Sequence, residues 1–144
     1  MIFCISNLIQ YDNNTIIQGR LILLTWDLQS DRPIYTQLLE RIQLNIVSGV
    51  YNPGEKLPSV RELAAEASVN PNTMQKAFAE LERTGLIYTQ RTAGRFITGD
   101  EKMIQELRNA LAMRQIREFI EKMQLLGFKK EEIKLLIEEA AAEE

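Results

Sequence analysis

Apolar positions come in blocks separated by short polar breaks, and the spacing inside each block predicts its element. Ile34, Leu38, Ile42 and Ile46, with Tyr35 and Leu39 beside them, recur at helical spacing. The run opens at Asp31-Arg32-Pro33, where a proline suits a first helical turn because its missing N–H would have no partner there. Gly49 ends it, and Tyr51-Asn52-Pro53-Gly54 makes a turn. A second helix starts with a capping box, in which Ser59 accepts from the Glu62 N–H and Glu62 reaches back to the Ser59 N–H. Val60, Leu63, Ala64 and Ala67 supply its short buried face. Ser68-Val69-Asn70 forms the next turn, with Val69 as the apolar plug between two helices set at a steep angle. Asn70 then caps a third helix that has Pro71 at its first position and Met74, Ala77, Phe78 and Leu81 facing the core.

After Gly85 the pattern changes. Leu86-Ile87-Tyr88-Thr89-Gln90 is rich in β-formers, Arg91-Thr92-Ala93-Gly94 makes a tight tip, and Arg95-Phe96-Ile97-Thr98 returns as a second strand. Met103, Ile104, Leu107, Leu111, Ile116, Ile120 and Met123, with Phe119 nearby, then form a stripe along a helix of about six turns. Leu126-Gly127-Phe128 breaks it, and Lys129 to Ala142 forms a last helix with Ile133, Leu136, Ile137 and Ala140 inward. The predicted fold is mainly α with a small β-hairpin: a winged helix-turn-helix over residues 27–99 and a helical dimerisation tail over 100–144.

Residues 1–26 form an extension of unclear role. Apolar stretches from Ile2 to Ile9 and Leu21 to Leu24 flank Tyr11-Asp12-Asn13-Asn14. No run approaches the roughly 18 apolar residues of a membrane span, and no basic region precedes Ile2 as in a secretory signal. A pair of short peripheral strands around Asp12-Asn13-Asn14 and a segment packed on a partner subunit both fit. A start codon assigned too far upstream would also produce such a stretch.

Composition narrows the function classes. The 144 residues suffice for one domain with an appendage, and 45% apolar with 26% charged is an ordinary globular balance. Cys4 is the sole cysteine and histidine is absent, which removes a disulfide framework, a zinc ligand set and a Cys–His nucleophile pair. The implied compartment is a reducing cytoplasm. With no paired carboxylates around a cleft and no glycine-rich phosphate loop, an enzyme is not expected, and no metal or other cofactor is called for.

The net charge of −3 argues against nucleic acid until it is divided along the chain. Residues 33–99 carry seven basic and six acidic side chains, whereas residues 100–144 carry eight and eleven. The middle segment is near neutral, so DNA affinity would have to come from focused contacts, helix dipoles and dimerisation.

Such contacts can be named. The outer face of the third helix begins Asn72, Thr73, Gln75 and Lys76, small or polar donors at a helix N-terminus. Asn and Gln can pair bidentately with adenine, Thr can bond a base or phosphate, and Lys can reach guanine or phosphate. Arg91 and Arg95 flank the hairpin tip, where a wing beside a recognition helix meets the negative potential of backbone or minor groove. Arg61, in the first turn of the second helix, is a further phosphate candidate.

The segment Asn52-Pro53-Gly54-Glu55-Lys56-Leu57-Pro58-Ser59-Val60-Arg61-Glu62-Leu63-Ala64 resembles the opening signature of the GntR family of bacterial transcription regulators. Val69-Asn70-Pro71-Asn72-Thr73, Leu81-Glu82-Arg83-Thr84-Gly85-Leu86-Ile87 and Arg91-Thr92-Ala93-Gly94-Arg95-Phe96-Ile97 continue the likeness, which covers residues 31–99 without a gap. The short helical tail is similar to the YtrA-type subgroup, which has two helices in place of a large effector domain. The resemblance implies operator contacts by Arg61, Asn70, Asn72, Thr73, Gln75 and Arg91, with the Gly94 region of the wing entering the minor groove. Pro71 stands where some members have an arginine, so one base contact is absent here.

The expected activity is therefore sequence-specific, repressor-type binding of a palindromic double-stranded operator by a homodimer, without membrane association. The dimer would form through Ile104, Leu107, Leu111, Ile116, Phe119, Ile120 and Met123, because two amphipathic helices offer more apolar surface than one small domain covers. A hairpin that only caps the winged domain is the plainer alternative for the tail. Dimerisation would set two recognition helices about 34 Å apart. A winged module serving protein or RNA interactions is the competing function. A tail this short has no room for a dedicated effector pocket, so any small-molecule effector would bind between the tail and the winged domains, or not at all.

Overall fold

A computed structural model describes residues 26–143; the expectations for the extension before Trp26 lie outside the described residues. Helix α1 spans Ile34–Val47, α2 Val60–Ala67, α3 Pro71–Arg83, α4 Glu101–Leu125 and α5 Lys130–Ala142, with strands β1 Ile87–Gln90 and β2 Gly94–Ile97 between α3 and α4. The chain divides after Ile104 into two compact units. The first residues of α4 thus belong to the same compact unit as the helices and hairpin before it.

The winged unit is built on one apolar face from each helix. Leu38, Ile42 and Ile46 of α1 are buried together with Leu63 and Ala64 of α2 and Met74, Ala77, Phe78 and Leu81 of α3. Both α1 and α2 pack on α3, and β1 lies against it. Pro33 differs from its expected place. It is the N-cap of α1, at ψ 127°, so the helix starts one residue later. The lead-in is held instead by Gln37, whose side chain accepts from the Gln29 N–H at 2.7 Å and donates to the carbonyls of Gln29 and Arg32. That exchange satisfies a buried amide.

The capping box of α2 forms as the spacing predicts. Glu62 N–H donates to Ser59 Oγ at 3.2 Å, and Ser59 N–H donates to Glu62 Oε2 at 2.7 Å. Ser59→Ala is expected to lower the free energy of unfolding by about 1 kcal/mol in a denaturant titration. The Ser59 N–H, followed by its hydroxyl, holds the Glu62 carboxyl below the ordinary carboxylate range. A depressed folded-state pKa makes the carboxylate's share of the cap present above the unfolded value. It is lost as pH falls through the folded one.

The end of α3 is a tight glycine stop. Gly85 sits at φ 78°, its N–H bonds to the Glu82 carbonyl and the Leu86 N–H bonds to the Leu81 carbonyl. This closes the open carbonyls and turns Leu86 back into the core. The chain then enters the hairpin, where Ile87 pairs with Ile97 and Gln90 with Gly94. Arg91, Thr92 and Ala93 make the connecting loop. A third extended segment stiffens the base of the wing: the Leu57 N–H bonds to the Arg95 carbonyl and the Ile97 N–H to the Glu55 carbonyl, each at 2.9 Å.

The second unit is the remainder of α4, a turn at Leu126-Gly127-Phe128, and α5. Lys129 donates its backbone N–H to Glu132 at the start of α5. Of the four residues expected inward on α5, Ile133 is buried and Leu136 half-buried, but Ile137 and Ala140 are exposed. Among the described residues of this unit, the two helices have no third layer to cover them.

Candidate nucleic-acid interface

Asn70 caps α3, its Oδ1 accepting from the Asn72 N–H at 2.8 Å. The carboxamide oxygen is thereby committed to the helix, which leaves the Nδ2 donors for an outside partner. Asn72, Gln75 and Lys76 are exposed and Thr73 is half-buried, so the outer face of α3 opens with the donors the sequence placed there. Pro71 at the first helical position contributes no N–H, and the amides of the following residues carry the positive end of the dipole.

Arg61 lies exposed in the first turn of α2, and Arg91 is exposed at the start of the wing loop. Among the described residues neither makes an ion pair, so their charge is available to an external anion. Gly94 stands at φ 111°, which L side chains rarely adopt, and a Cβ there would meet Lys56 Cε at 3.0 Å. Glycine therefore lets the chain pass close to a lysine. Lys56, 38 positions earlier and paired across the bridge to Phe96, adds a cation beside the wing that local sequence reasoning missed. No pattern in the sequence marks it, because only the tertiary pairing brings it there.

Arg95 points a different way from Arg91. Its guanidinium carbon lies 5.4 Å from the Phe78 ring centre, and its Nε, out of water, lies 3.6 Å from Glu82 Oε1. The same carboxylate oxygen accepts from the Thr89 hydroxyl. Glu82 on α3 thus ties both strands of the hairpin to the recognition helix. Arg95, expected at the groove from its position beside the tip, thus also faces Glu82 and Phe78 of α3.

Lys76 is also engaged, but toward the outside. Its Nζ stands 4.1 Å from the centre of the Tyr35 ring on α1. A cleft of about 470 Å³ lies elsewhere in the unit, lined by Tyr51, Glu55, Lys56, Leu57, Glu62 and Glu66 among others. Burial first, and then the neighbouring Glu66 charge, push the Tyr51 hydroxyl pKa upward. Three carboxylates make that cleft unsuited to a phosphate backbone, whereas Arg61, the start of α3 and Arg91 present exposed cations and donors.

Comparison with known proteins agrees with this geometry. The profile of "Bacterial regulatory proteins, gntR family" matches residues 34–97. The HTH-type transcriptional regulator YhcF of Bacillus subtilis (strain 168) is 41% identical over 105 residues, 73% of this chain and 87% of YhcF. The chain belongs to the gntR family. Another gntR-type relative, the HTH-type transcriptional repressor YtrA of the same organism, is 36% identical over 118 residues, covering 81% of this chain and 91% of YtrA. A solved gntR-family transcriptional regulator from Listeria monocytogenes superposes with a TM-score of 0.72 at 43% identity, over 78% of this chain and 98% of that one.

The gntR-family chain described here is accordingly a DNA-binding transcription regulator with a winged helix-turn-helix, and such regulators are not enzymes. Among its described residues no helix is long and apolar enough to cross a membrane.

The expected dimerisation residues differ in exposure. Ile104 is buried within the winged unit and has little surface left to offer a partner. Leu107, Leu111, Ile120 and Met123 are half-buried, while Ile116 and Phe119 are 47% and 42% exposed. Met113, Leu125, Leu126, Phe128 and Leu135 add exposed apolar surface that the stripe did not include.

Proposed function

We propose that this chain is a YtrA-type repressor acting in the cytoplasm as a homodimer on a palindromic operator. The observation that carries the dimer is the apolar surface left open on α4 and α5, since patches of this kind on small soluble proteins mark interaction sites. A two-fold interface gives each protomer the same patch and matches a two-fold operator. The winged unit supplies the half-site reader: Asn72, Thr73 and Gln75 at base edges, Arg61 and Lys76 at phosphates or bases, and Arg91 with the Gly94 region at the minor groove. The Nδ2 of Asn70 is a further donor. Arg95 supports this set through its link to Glu82. The similarity to YtrA, a transcriptional repressor in Bacillus subtilis, supports the same reading.

Selection of bound fragments from random duplex DNA, followed by footprinting, tests it. The expected result is an enriched two-fold symmetric site with half-sites about one helical turn apart. Protection of both half-sites along one face of the duplex, and competition by that site over scrambled duplex, are expected as well. Enrichment of an asymmetric single half-site, or preference for RNA over duplex DNA, would overturn it.

A further inference from the structure

We infer that Tyr35 is a positioning residue for operator binding: its ring holds the Lys76 ammonium at the DNA face of the recognition helix. The inference rests on the duplex face proposed above and extends it to a residue on a different helix. Nothing in the sequence joins the two, because they stand 41 positions apart on α1 and α3.

Three observations converge. The Lys76 Nζ stands 4.1 Å from the Tyr35 ring centre, within the range where a cation is drawn to the face of an aromatic ring. Helices α1 and α3 pack directly, so the ring is carried on a rigid support and is itself half-buried. Lys76 is exposed one turn beyond Asn72 on the outer face of α3, and among the described residues it makes no ion pair.

A lysine side chain has many rotamers, and ordering it at a phosphate costs conformational entropy on binding. A ring that already restrains the ammonium lowers that cost without neutralising the charge, whereas a carboxylate partner would compete with the phosphate. Tyr35 thus does for a mobile cation what bidentate geometry does for arginine. The unit has few cations at its duplex face, so the placement of each one matters more than in a strongly basic protein.

The test is a double-mutant cycle on the full chain with the selected operator duplex. Lys76→Met is expected to weaken binding and to lower the salt slope by about one per half-site. Tyr35→Leu is expected to weaken binding about two- to fivefold per half-site, Tyr35→Phe to bind as the parent does, and Tyr35→Leu to add no loss once Lys76→Met is present. Wild-type Lys76 ε-methylene protons should show an upfield ring-current shift in NMR spectra. This reads the placement even if Tyr35→Leu folds poorly.

An undiminished loss from Tyr35→Leu in the Lys76→Met background would overturn the inference. So would weak binding by Tyr35→Phe, which would mark the hydroxyl as a direct contact, or an unshifted ε-methylene. Unchanged affinity in Lys76→Met would also overturn it while leaving the operator reading intact. Failure of the parent chain to bind any duplex would defeat the operator reading itself.

Discussion

Glutamate at both Ile116 and Phe119 is expected to make the protein monomeric in analytical ultracentrifugation and to weaken operator binding by about 10²–10⁴-fold. Both side chains are substantially exposed in the single chain, so the substitutions create no buried charge there and the monomer should keep its helical circular dichroism. In the proposed dimer the same carboxylates would be desolvated opposite an apolar partner surface, which costs several kcal/mol per unpaired charge. The affinity falls because the second half-site contact ceases to be intramolecular. A variant that sediments as a dimer would refute the assignment of this face. A monomeric variant with full operator affinity would refute the need for two readers.

The second large effect concerns the cations of the winged unit. Replacing Arg61 and Arg91 with alanine should leave thermal stability nearly unchanged, since both are exposed and unpaired among the described residues. Hydrogen bonds to charged groups contribute about 1.5–3 kcal/mol each, so losing two predicts roughly 10²–10⁴-fold weaker binding per half-site. The salt slope should fall by about one for each cation removed per half-site. Fluorescence anisotropy over a salt series reads both quantities. An unchanged slope would mean that neither arginine meets a phosphate.

Local pattern suffices for the elements themselves. The elements from Ile34 to Ala142 were legible because each is amphipathic at one clear period and is bounded by a local stop such as Gly85, Gly127 or the Ser59 box. The helix face Asn72 to Lys76 follows from the cap at Asn70 and the buried positions Met74 and Ala77. Whatever depends on packing between distant segments was not legible. Lys56 reaches the wing through a bridge to Phe96, Lys76 rests on Tyr35, and Arg95 turns toward Phe78 and Glu82. Ile104 has the same spacing as the stripe behind it, yet it belongs to the winged unit. Helical period reports which face is apolar and is silent on which neighbour covers it.

The carboxylate of Glu82 has one more consequence. It accepts from Thr89 on β1 and faces Arg95 on β2 from the C-terminal half of α3, so in the proposed reader the helix and the wing of one protomer would act as a single template. Bases under the helix and the minor-groove step under the wing would then be read at an invariant offset. Inserting one base pair inside a half-site should therefore abolish recognition of that half-site. An insertion between half-sites leaves each arm readable but changes the separation and rotation of the two templates, so in the proposed dimer it should weaken the cooperation of two protomers and not the reading of either arm.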